Sequence, residues 1–406
     1  SYERLEVDWD PWAAGLAVED GLFTGEAIVE VDSAIDGNRH ASPGIAIELE
    51  VRTRLEPRLA FFERGLMFVN QPVDLTGDGL LLGGAEGKTV AVVAGCFTVE
   101  GETECRPVGA TEIEARPVAD GVRSRGVFPF DPRIAGIHPG RFEGTVSLRN
   151  LHGYLAGSTV VDGITSPVVY DLLRPAIFAV SPSVASLGQF VDVSGGGFVG
   201  SPAGSPTSAT ALTLLDLSGQ FTPDGGGAVS DVSITLVPRF VSGLLVRYVL
   251  DEADGLGQRV DLRKVTGTFV GDIRPTVIYA GDEVTGSATP VMLGIAPVKQ
   301  VVWLSFLSSY VESLRHFGLR ALDRQLRARI FAVARRDYAG LNVEFVADRP
   351  QGFAAYGRVD ITGPDPNEKG YFGYDNSPGK DVGNKRLYDQ IGGVNAETQE
   401  DGYAGY

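Results

Sequence analysis

The first three hundred residues are written largely in a period of two. Runs such as TVAVVAG, TEIEARPV, GTVSLRN, SITLVPRF and LLVRYVL place Val, Ile and Leu at every second position. Each run predicts a strand with one buried and one solvated face. Gly, Pro, Asp and Asn cut the runs apart, as tight turns between antiparallel strands require. A half-buried strand needs a facing sheet to cover it, so the pattern predicts β-sandwiches. Near residue 298 the period changes. KQVVWLSFL (299–307) is one apolar strand, and in the segment that follows Leu319, Leu322, Leu326, Ile330 and Val333 recur every three or four residues. That spacing predicts a helix with one apolar face, opened by Ser309 and Glu312 at capping-box spacing and stopped at Gly340. Arg320, Arg324, Arg327 and Arg335 fall off the stripe and read as a solvated face. LNVEFVA and GRVDITG then read as strands.

The β-patterned part repeats. NQPVDLTGDG (70–79) aligns with GQFVDVSGGG (188–197), and VAVVAGCFTVEG (90–101) with LTLLDLSGQFTPDG (212–225), setting Phe97 on Phe221. Pro117 falls on Pro238. RFEGTVSLRN (141–150) aligns with TFVGDIRPTV (268–277), setting Phe142 on Phe269 and Gly144 on Gly271. All four blocks keep one order and one approximate offset, the signature of tandem units, and the unit length suits a sandwich. The expected fold is therefore mostly β: two tandem Ig-like antiparallel β-sandwiches plus a smaller C-terminal α/β domain. The expected boundaries are 1–22 for an N-terminal segment, 23–173 and 174–297 for the sandwiches, and 298–406 for an incomplete α/β unit.

The opening of the second unit, RPAIFAVSPSVASLGQFVDVSGGGFVG (174–200), resembles an IPT/TIG immunoglobulin-like domain. Ile177, Pro182, Gly188, Val191, Val193, Gly195 and Phe198 fall where that pattern takes an apolar residue, a Pro, a turn glycine, two inward aliphatics, a Gly and an aromatic. SVAS stands where a further glycine is usual. The resemblance covers residues 174–290 and, by repetition, 23–172. It implies a non-catalytic module of a surface, secreted or regulatory protein.

Residues 299–384 resemble the N-terminal half of a metzincin-type zinc metallopeptidase domain. The resemblance is carried by the first strand VVWLSFL, by Asp337-Tyr338 with Val343 and Phe345, by Pro350 with Val359, Ile361 and Gly363, and by the loop GYFGYDNSPGKDVGN (370–384). It implies a zinc helix with an HExxH motif later in the chain, and no histidine follows His316. Zinc would be bound only if a segment beyond Tyr406 supplied the ligands.

Other chemistry is sparse. The chain of 406 residues carries a net charge of −17, which repels a phosphate backbone and argues against nucleic-acid binding. It has no apolar run long enough to span a membrane. It starts at Ser1 with no visible signal peptide, which suggests prior processing. Cys96 and Cys105, in GCFTVEGETEC, have hairpin spacing and predict a disulfide, hence export; two buried thiols are the plain alternative. GGAEGKTV (83–90) misses the phosphate-loop spacing by one residue and precedes a strand pattern, so it reads as a hairpin turn. DLTGDG (74–79) lacks the later ligands of a calcium loop and reads as a turn. His40, His138, His152 and His316 never fall within a helical turn of one another, so no catalytic set is expected. Asp365, Asn367, Asp375, Asn376 and Asp381 offer hard oxygen ligands for calcium in a Gly-rich stretch, where Asp and Asn also serve as turn formers.

Two functions follow. One is a secreted, periplasmic or cell-surface binding or assembly protein, catalytically incomplete as it stands, meeting a protein or surface glycan partner or self-assembling through sheet edges. The other is an exported zinc metallopeptidase whose zinc helix lies beyond residue 406.

Overall fold

The computed structural model describes residues 20–32, 38–52, 54–62, 65–119, 121–153, 160–201, 211–250, 259–261, 264–354, 356–363, 373–374 and 403–404. The chain opens with β1 (Gly21–Ala27), β2 (Glu30–Asp32), β3 (Arg39–Ala41) and β4 (Ile45–Val51). β1 pairs with β4 and β2 with β3, giving two nested antiparallel ribbons. Residues from 23 onward were expected in the first sandwich, yet these strands form small sheets of their own. Their apolar side chains explain why: Leu22 is 59% and Ile45 68% exposed, so the ribbon has no continuous buried face.

The first sandwich is built from β5 (Arg58–Phe62), β6 (Gly65–Met67), β7 (Pro72–Asp78), β8 (Gly87–Val99), β9 (Arg106–Pro117), β10 (Arg125–Pro129), the one-turn α1 (Pro132–Ala135), β11 (Gly140–His152), β12 (Val160–Asp162) and β13 (Ser166–Leu172). One layer runs β5-β7-β10 and the other β9-β8-β11-β13-β6, with β12 beside β11 and a short β9–β10 pairing joining the layers. The second sandwich comprises β14 (Ala176–Ser181), β15 (Val184–Ala185), β16 (Phe190–Gly196), β17 (Ala211–Pro223), β18 (Ser230–Leu236), β19 (Arg239–Ser242), β20 (Leu245–Val249), β21 (Gly267–Tyr279), β22 (Asp282–Thr285) and β23 (Thr289–Ile295). Its layers run β14-β16-β20-β19 and β15-β23-β21-β17-β18, with β22 beside β21. In both units the first strand lies in one layer. A short second segment then crosses to pair in parallel with the last strand of the other layer. This is the strand order of an Ig-like sandwich, and the fold is mostly β.

The repeat holds residue by residue. Phe97 faces Phe142 across β8–β11, and Phe221 faces Phe269 across β17–β21. All four rings are buried. Gly95 faces Gly144, and Gly219 faces Gly271. An added Cβ at Gly144 would stand 2.7 Å from the Phe142 ring, and one at Gly271 2.8 Å from the Phe269 ring. The paired glycines therefore make room for the paired phenylalanines. Cys96, on β8, is bonded to Cys105, just before β9, with a Cα–Cα distance of 5.8 Å, so the disulfide closes the β8–β9 hairpin.

One loop reading holds and one needs revision. GGAEGKTV does turn the chain back on itself, since Leu82 bridges antiparallel to Lys88 across a 3₁₀ turn at 84–86, on the way from β7 to β8 in the other layer. DLTGDG is not a turn but the body of β7, which ends at Asp78 before Gly79 takes a φ of 72°. Ile177, Val191, Val193 and Phe198 all lie in the second core, where the resemblance put apolar and aromatic residues.

The last unit holds β24 (Gln300–Phe306), α2 (Ser308–His316), α3 (Asp323–Asp337), β25 (Val343–Val346), β26 (Gly357–Ile361), β27 (Gly373–Tyr374) and β28 (Tyr403–Ala404). The sheet order is β25-β24-β26-β28-β27, parallel except for β27. Val302, Leu304, Phe345 and Ile361 pack with Leu326 and Ile330 of α3. The predicted single helix is two, broken where Gly318 takes a φ of 68°. Leu319 and Leu322 lie in the break and are 39% and 41% exposed. Ser309 does not cap α2; its hydroxyl accepts from Gly363 N–H at 3.3 Å, tying the helix to the end of β26. Nor are all the arginines on a solvated face. The Arg327 guanidinium lies 4.3 Å over Phe306 and donates to Asp323 at 2.7 Å. Arg335 lies 5.4 Å over Phe331 and donates to Phe345 O at 3.3 Å.

Candidate functional site

The most elaborate constructions in the molecule are the joints between units. Each sandwich carries a tight turn between its second and third strands. In the first, Phe68 N–H donates to Gln71 Oε1 at 3.0 Å and Gln71 N–H donates back to Phe68 O at 3.1 Å. In the second, Ser186 N–H donates to Gln189 Oε1 at 3.0 Å and Gln189 N–H to Ser186 O at 3.0 Å. The residue before each glutamine is left-handed, Asn70 at φ 59° and Gly188 at φ 79°, and these two residue types adopt that conformation most readily. Each turn is locked to the strand beside it: Asn70 N–H donates to Phe130 O and Gly188 N–H to Leu250 O. This is the physical content of the alignment of NQ with GQ.

Each turn seats its sandwich on the unit that follows. Asn70 Nδ2 donates to Phe198 O at 2.9 Å. Phe68 meets Phe178 edge-on with ring centroids 5.7 Å apart. A Cβ on Gly243 would stand 2.3 Å from Asn70 O, and one on Gly196 2.4 Å from the Phe68 ring, so both positions need glycine for this close approach. Beside the turn, Val69, Ile134 and Ile137 of the first sandwich share a buried cluster with Val199, Val277 and Val284 of the second. Burying groups of this size stabilises by roughly 1.5–3 kcal/mol each, which holds the joint closed. At the second joint, the 186–189 turn meets the α/β unit. Phe190 N–H donates to Gly352 O and Ala354 N–H to Gly188 O, each at 2.9 Å, with Gln189 bridged to Phe353. Ser186 Oγ accepts from Lys299 N–H at 2.9 Å and donates to Pro297 O at 3.1 Å.

The first joint also gathers charge. Arg133 donates to Asp131 from Nε at 2.9 Å, and this bond raises its pKa further. Tyr279 of the second sandwich lies against this pair. Burial, and then the Asp131 carboxylate, push its phenol above the ordinary value of 10.0, with Arg133 acting the other way. His138 Nε2 lies 3.7 Å from Asp282 Oδ2, again across the joint. A cleft of about 650 Å³ opens alongside, lined by Phe68, Val99, Pro139, Leu172, Leu173 and Ala176, with Glu100, Arg141 and Arg174 also in its wall.

The sequence-predicted residues distribute unevenly. Cys96 and Cys105 come together. His152 is buried and accepts from Leu55 N–H at 3.2 Å, a structural task. Asp365, Asn367, Asp375, Asn376 and Asp381 lie outside the described residues. Among the described residues no group of three or more His, Cys, Asp and Glu is placed to hold a metal ion. The joint residues Asn70, Ile134, Ile137, Gly243 and Val277 carried no functional signal in the sequence; the one available was the apolar pair Ile134 and Ile137 inside a Gly-Pro-rich loop.

No family model matches the chain, and no curated protein does. Among solved structures it is similar to the full extracellular region of plexin A4, at 11% identity and a TM-score of 0.23, covering 60% of this chain and 18% of that one. It is also similar to the FN1–FN3 domains of chicken CNTN1, at 13% identity and a TM-score of 0.18, covering 63% and 70%. A marsupial T cell receptor matches at 10% identity and a TM-score of 0.18, covering 66% and 72%. At these scores the Ig-like assignment rests on the strand order of each unit. No helix among the described residues is long and apolar enough to cross a membrane.

Proposed function

We propose that this chain is a secreted, periplasmic or cell-surface binding or assembly protein. Two Ig-like sandwiches, within residues 23–173 and 174–297, form a stiff arm that carries the α/β unit of residues 298–406. The observation that carries this reading is the repeated joint: an equivalent turn seats each sandwich on its successor. In each sandwich that turn lies at one pole, and at the first joint the receiving loops of the second sandwich lie at its opposite pole, so the units stack lengthwise. A flexible string of domains would not need Gly196 and Gly243 kept free of side chains, nor a buried apolar cluster across the joint. The arm then presents loops and sheet surfaces to a protein or glycan partner, and the net charge of −17 steers it from nucleic acid. Small-angle scattering with NMR rotational diffusion tests the reading. Expected is one elongated, uniformly tumbling particle; independent tumbling of the units would overturn it.

A second reading is favoured by one observation. The order β24, helix, β25, β26, with the strands parallel, is the order that the resemblance to a zinc metallopeptidase half implies. On this reading the arm positions a peptidase whose zinc helix is encoded after Tyr406. Reading the gene onward decides it, since an HExxH motif is required there and its absence removes the peptidase.

A further inference from the structure

We infer that two copies of this chain associate through β18, running antiparallel about a twofold axis at Ser233. The inference rests on the assembly reading above but not on the stiffness of the arm.

Exposed sheet edges present unpaired N–H and C=O groups, and proteins protect them with bulges, short strands, charges or covering elements. Nearly every edge of the two sandwiches is protected in such a way. β5 shifts register between Leu59 and Phe61, β14 between Ile177 and Ala179, and β19 between Phe240 and Ser242. β6 and β15 are 3 and 2 residues long. β9, the counterpart of β18 in the first sandwich, is hydrogen-bonded to β10 on its other side. β18 carries one charge, Asp231, but lacks the bulge, the short length and, among the described residues, the covering strand. It is 7 residues long and keeps unbroken register with β17. It contains no Lys, Arg or Pro, and among the described residues no strand pairs with its outer side.

The sequence around β18 complements itself. Antiparallel pairing about Ser233 sets Asp231 opposite Thr235 of the second copy, so no carboxylate faces its own copy, while the Thr235 hydroxyl stays with Asp216 Oδ1 of its own chain at 2.6 Å. It sets Val232 opposite Ile234. It also sets Val229 opposite Val237, and these flanking valines are 53% and 57% exposed in the single chain. The two are equally far from Ser233, so the twofold axis covers both at once, twice over. A shift of two residues toward the C-terminus, about Thr235, would set Val237 opposite Ser233 and Val229 opposite position 241, which lies on β19 rather than on this edge. The isologous pairing closes on itself as a dimer and extends one layer of each second sandwich into a sheet shared by both copies.

The test uses the full chain. Sedimentation equilibrium is expected to show a reversible monomer–dimer equilibrium. Ser233→Asp, on the exposed face, puts like charges opposite each other at the axis. It is expected to weaken the dimer by at least about tenfold, while circular dichroism of the monomer stays unchanged. Because the structure has no free cysteine, single-cysteine variants report register. Ser233→Cys is expected to form a disulfide-linked dimer under mild oxidation, as opposed residues on paired strands lie within reach. Thr235→Cys is not, since about 13 Å of strand separates it from its own copy in that register. A strict monomer at all concentrations, a dimer untouched by Ser233→Asp, or equal crosslinking of the two cysteine variants would each overturn the inference. A monomer that still tumbled as one elongated particle would leave the arm standing.

Discussion

Asn70 donates its side-chain amide to Phe198 O at 2.9 Å across the first joint while its own backbone stays left-handed at φ 59°. The residue therefore does two tasks, shaping the turn and anchoring the next unit. Asn70→Gly separates them, because glycine keeps the backbone and deletes the anchor. The expected loss is about 1 kcal/mol, read as greater inter-unit motion in NMR relaxation with unchanged core signals in each sandwich. Asn70→Val is expected to cost more, since a β-branched residue resists the left-handed turn.

Gly243 tests the same joint from the receiving side. A methyl there would stand 2.3 Å from Asn70 O. The obstacle is backbone, which cannot swing away as a flexible side chain could. Gly243→Ala is expected to cost about 1–3 kcal/mol at the joint and to increase the spread of particle dimensions in scattering. A variant with wild-type dimensions and mobility would show that the contact is dispensable.

The far end of the first sandwich is held by a buried polar chain centred on Asn150. Its amide donates to Leu55 O and to Gly79 O, each at 2.8 Å, and its oxygen accepts from Thr89 Oγ at 2.7 Å. Thr89 Oγ in turn accepts from Leu81 N–H at 2.9 Å. Asn150→Leu strands two carbonyls and a hydroxyl in the interior, for an expected loss of about 2–4 kcal/mol. Because Leu55 then keeps only its bond to His152, trypsin is expected to cut at Arg54 and Arg58 faster than in the parent protein. The second sandwich keeps only part of this device: Thr213 Oγ accepts from Val199 N–H at 2.9 Å and donates to Val199 O at 2.7 Å.

Arg327 is expected to separate from Arg324 in mutation. Its guanidinium lies 4.3 Å over Phe306 and 5.3 Å from the Tyr310 ring centre, with Asp323 holding Nε. Lysine keeps the charge but loses the planar stack. Arg327→Lys is expected to lower the stability of the α/β unit by about 1 kcal/mol in urea unfolding, and Arg324→Lys to leave it unchanged.

These tests also mark how far the sequence could be read. A strand buried on one face writes its period into the chain, so Phe97, Phe142, Phe221 and Phe269 were alignable and prove to be cross-strand pairs. The glycines beside them were legible for the same reason. The joints were not. Ile134 and Ile137 sit in a loop without period, and only the arrival of Val199, Val277 and Val284 gives their burial a meaning. Asn70 announces a turn, but nothing local says that the turn touches another unit. The ribbons of residues 21–51 misled in the opposite sense, since the expected boundary at 23 put them in the first sandwich, yet their strands pair only with one another. The break at Gly318 was hidden because Leu319 and Leu322, which lie in it, keep helical spacing with Leu326 of α3.

Tyr279 gives the first joint a dependence on alkaline pH. Burial, and then the Asp131 carboxylate, raise its phenol above 10.0 in the folded protein. The folded state therefore holds the proton more tightly than the unfolded chain. The stabilisation is fully present below pH 10.0 and is lost as the pH rises through the higher folded value. The joint is thus expected to loosen at alkaline pH as the Tyr279 phenol ionises. Absorbance titration of the phenolates, followed beside inter-unit relaxation, checks that the two coincide. Tyr279→Phe should remove the alkaline loosening while leaving the joint closed near neutrality. Loosening that persists in Tyr279→Phe would place the responsible group elsewhere.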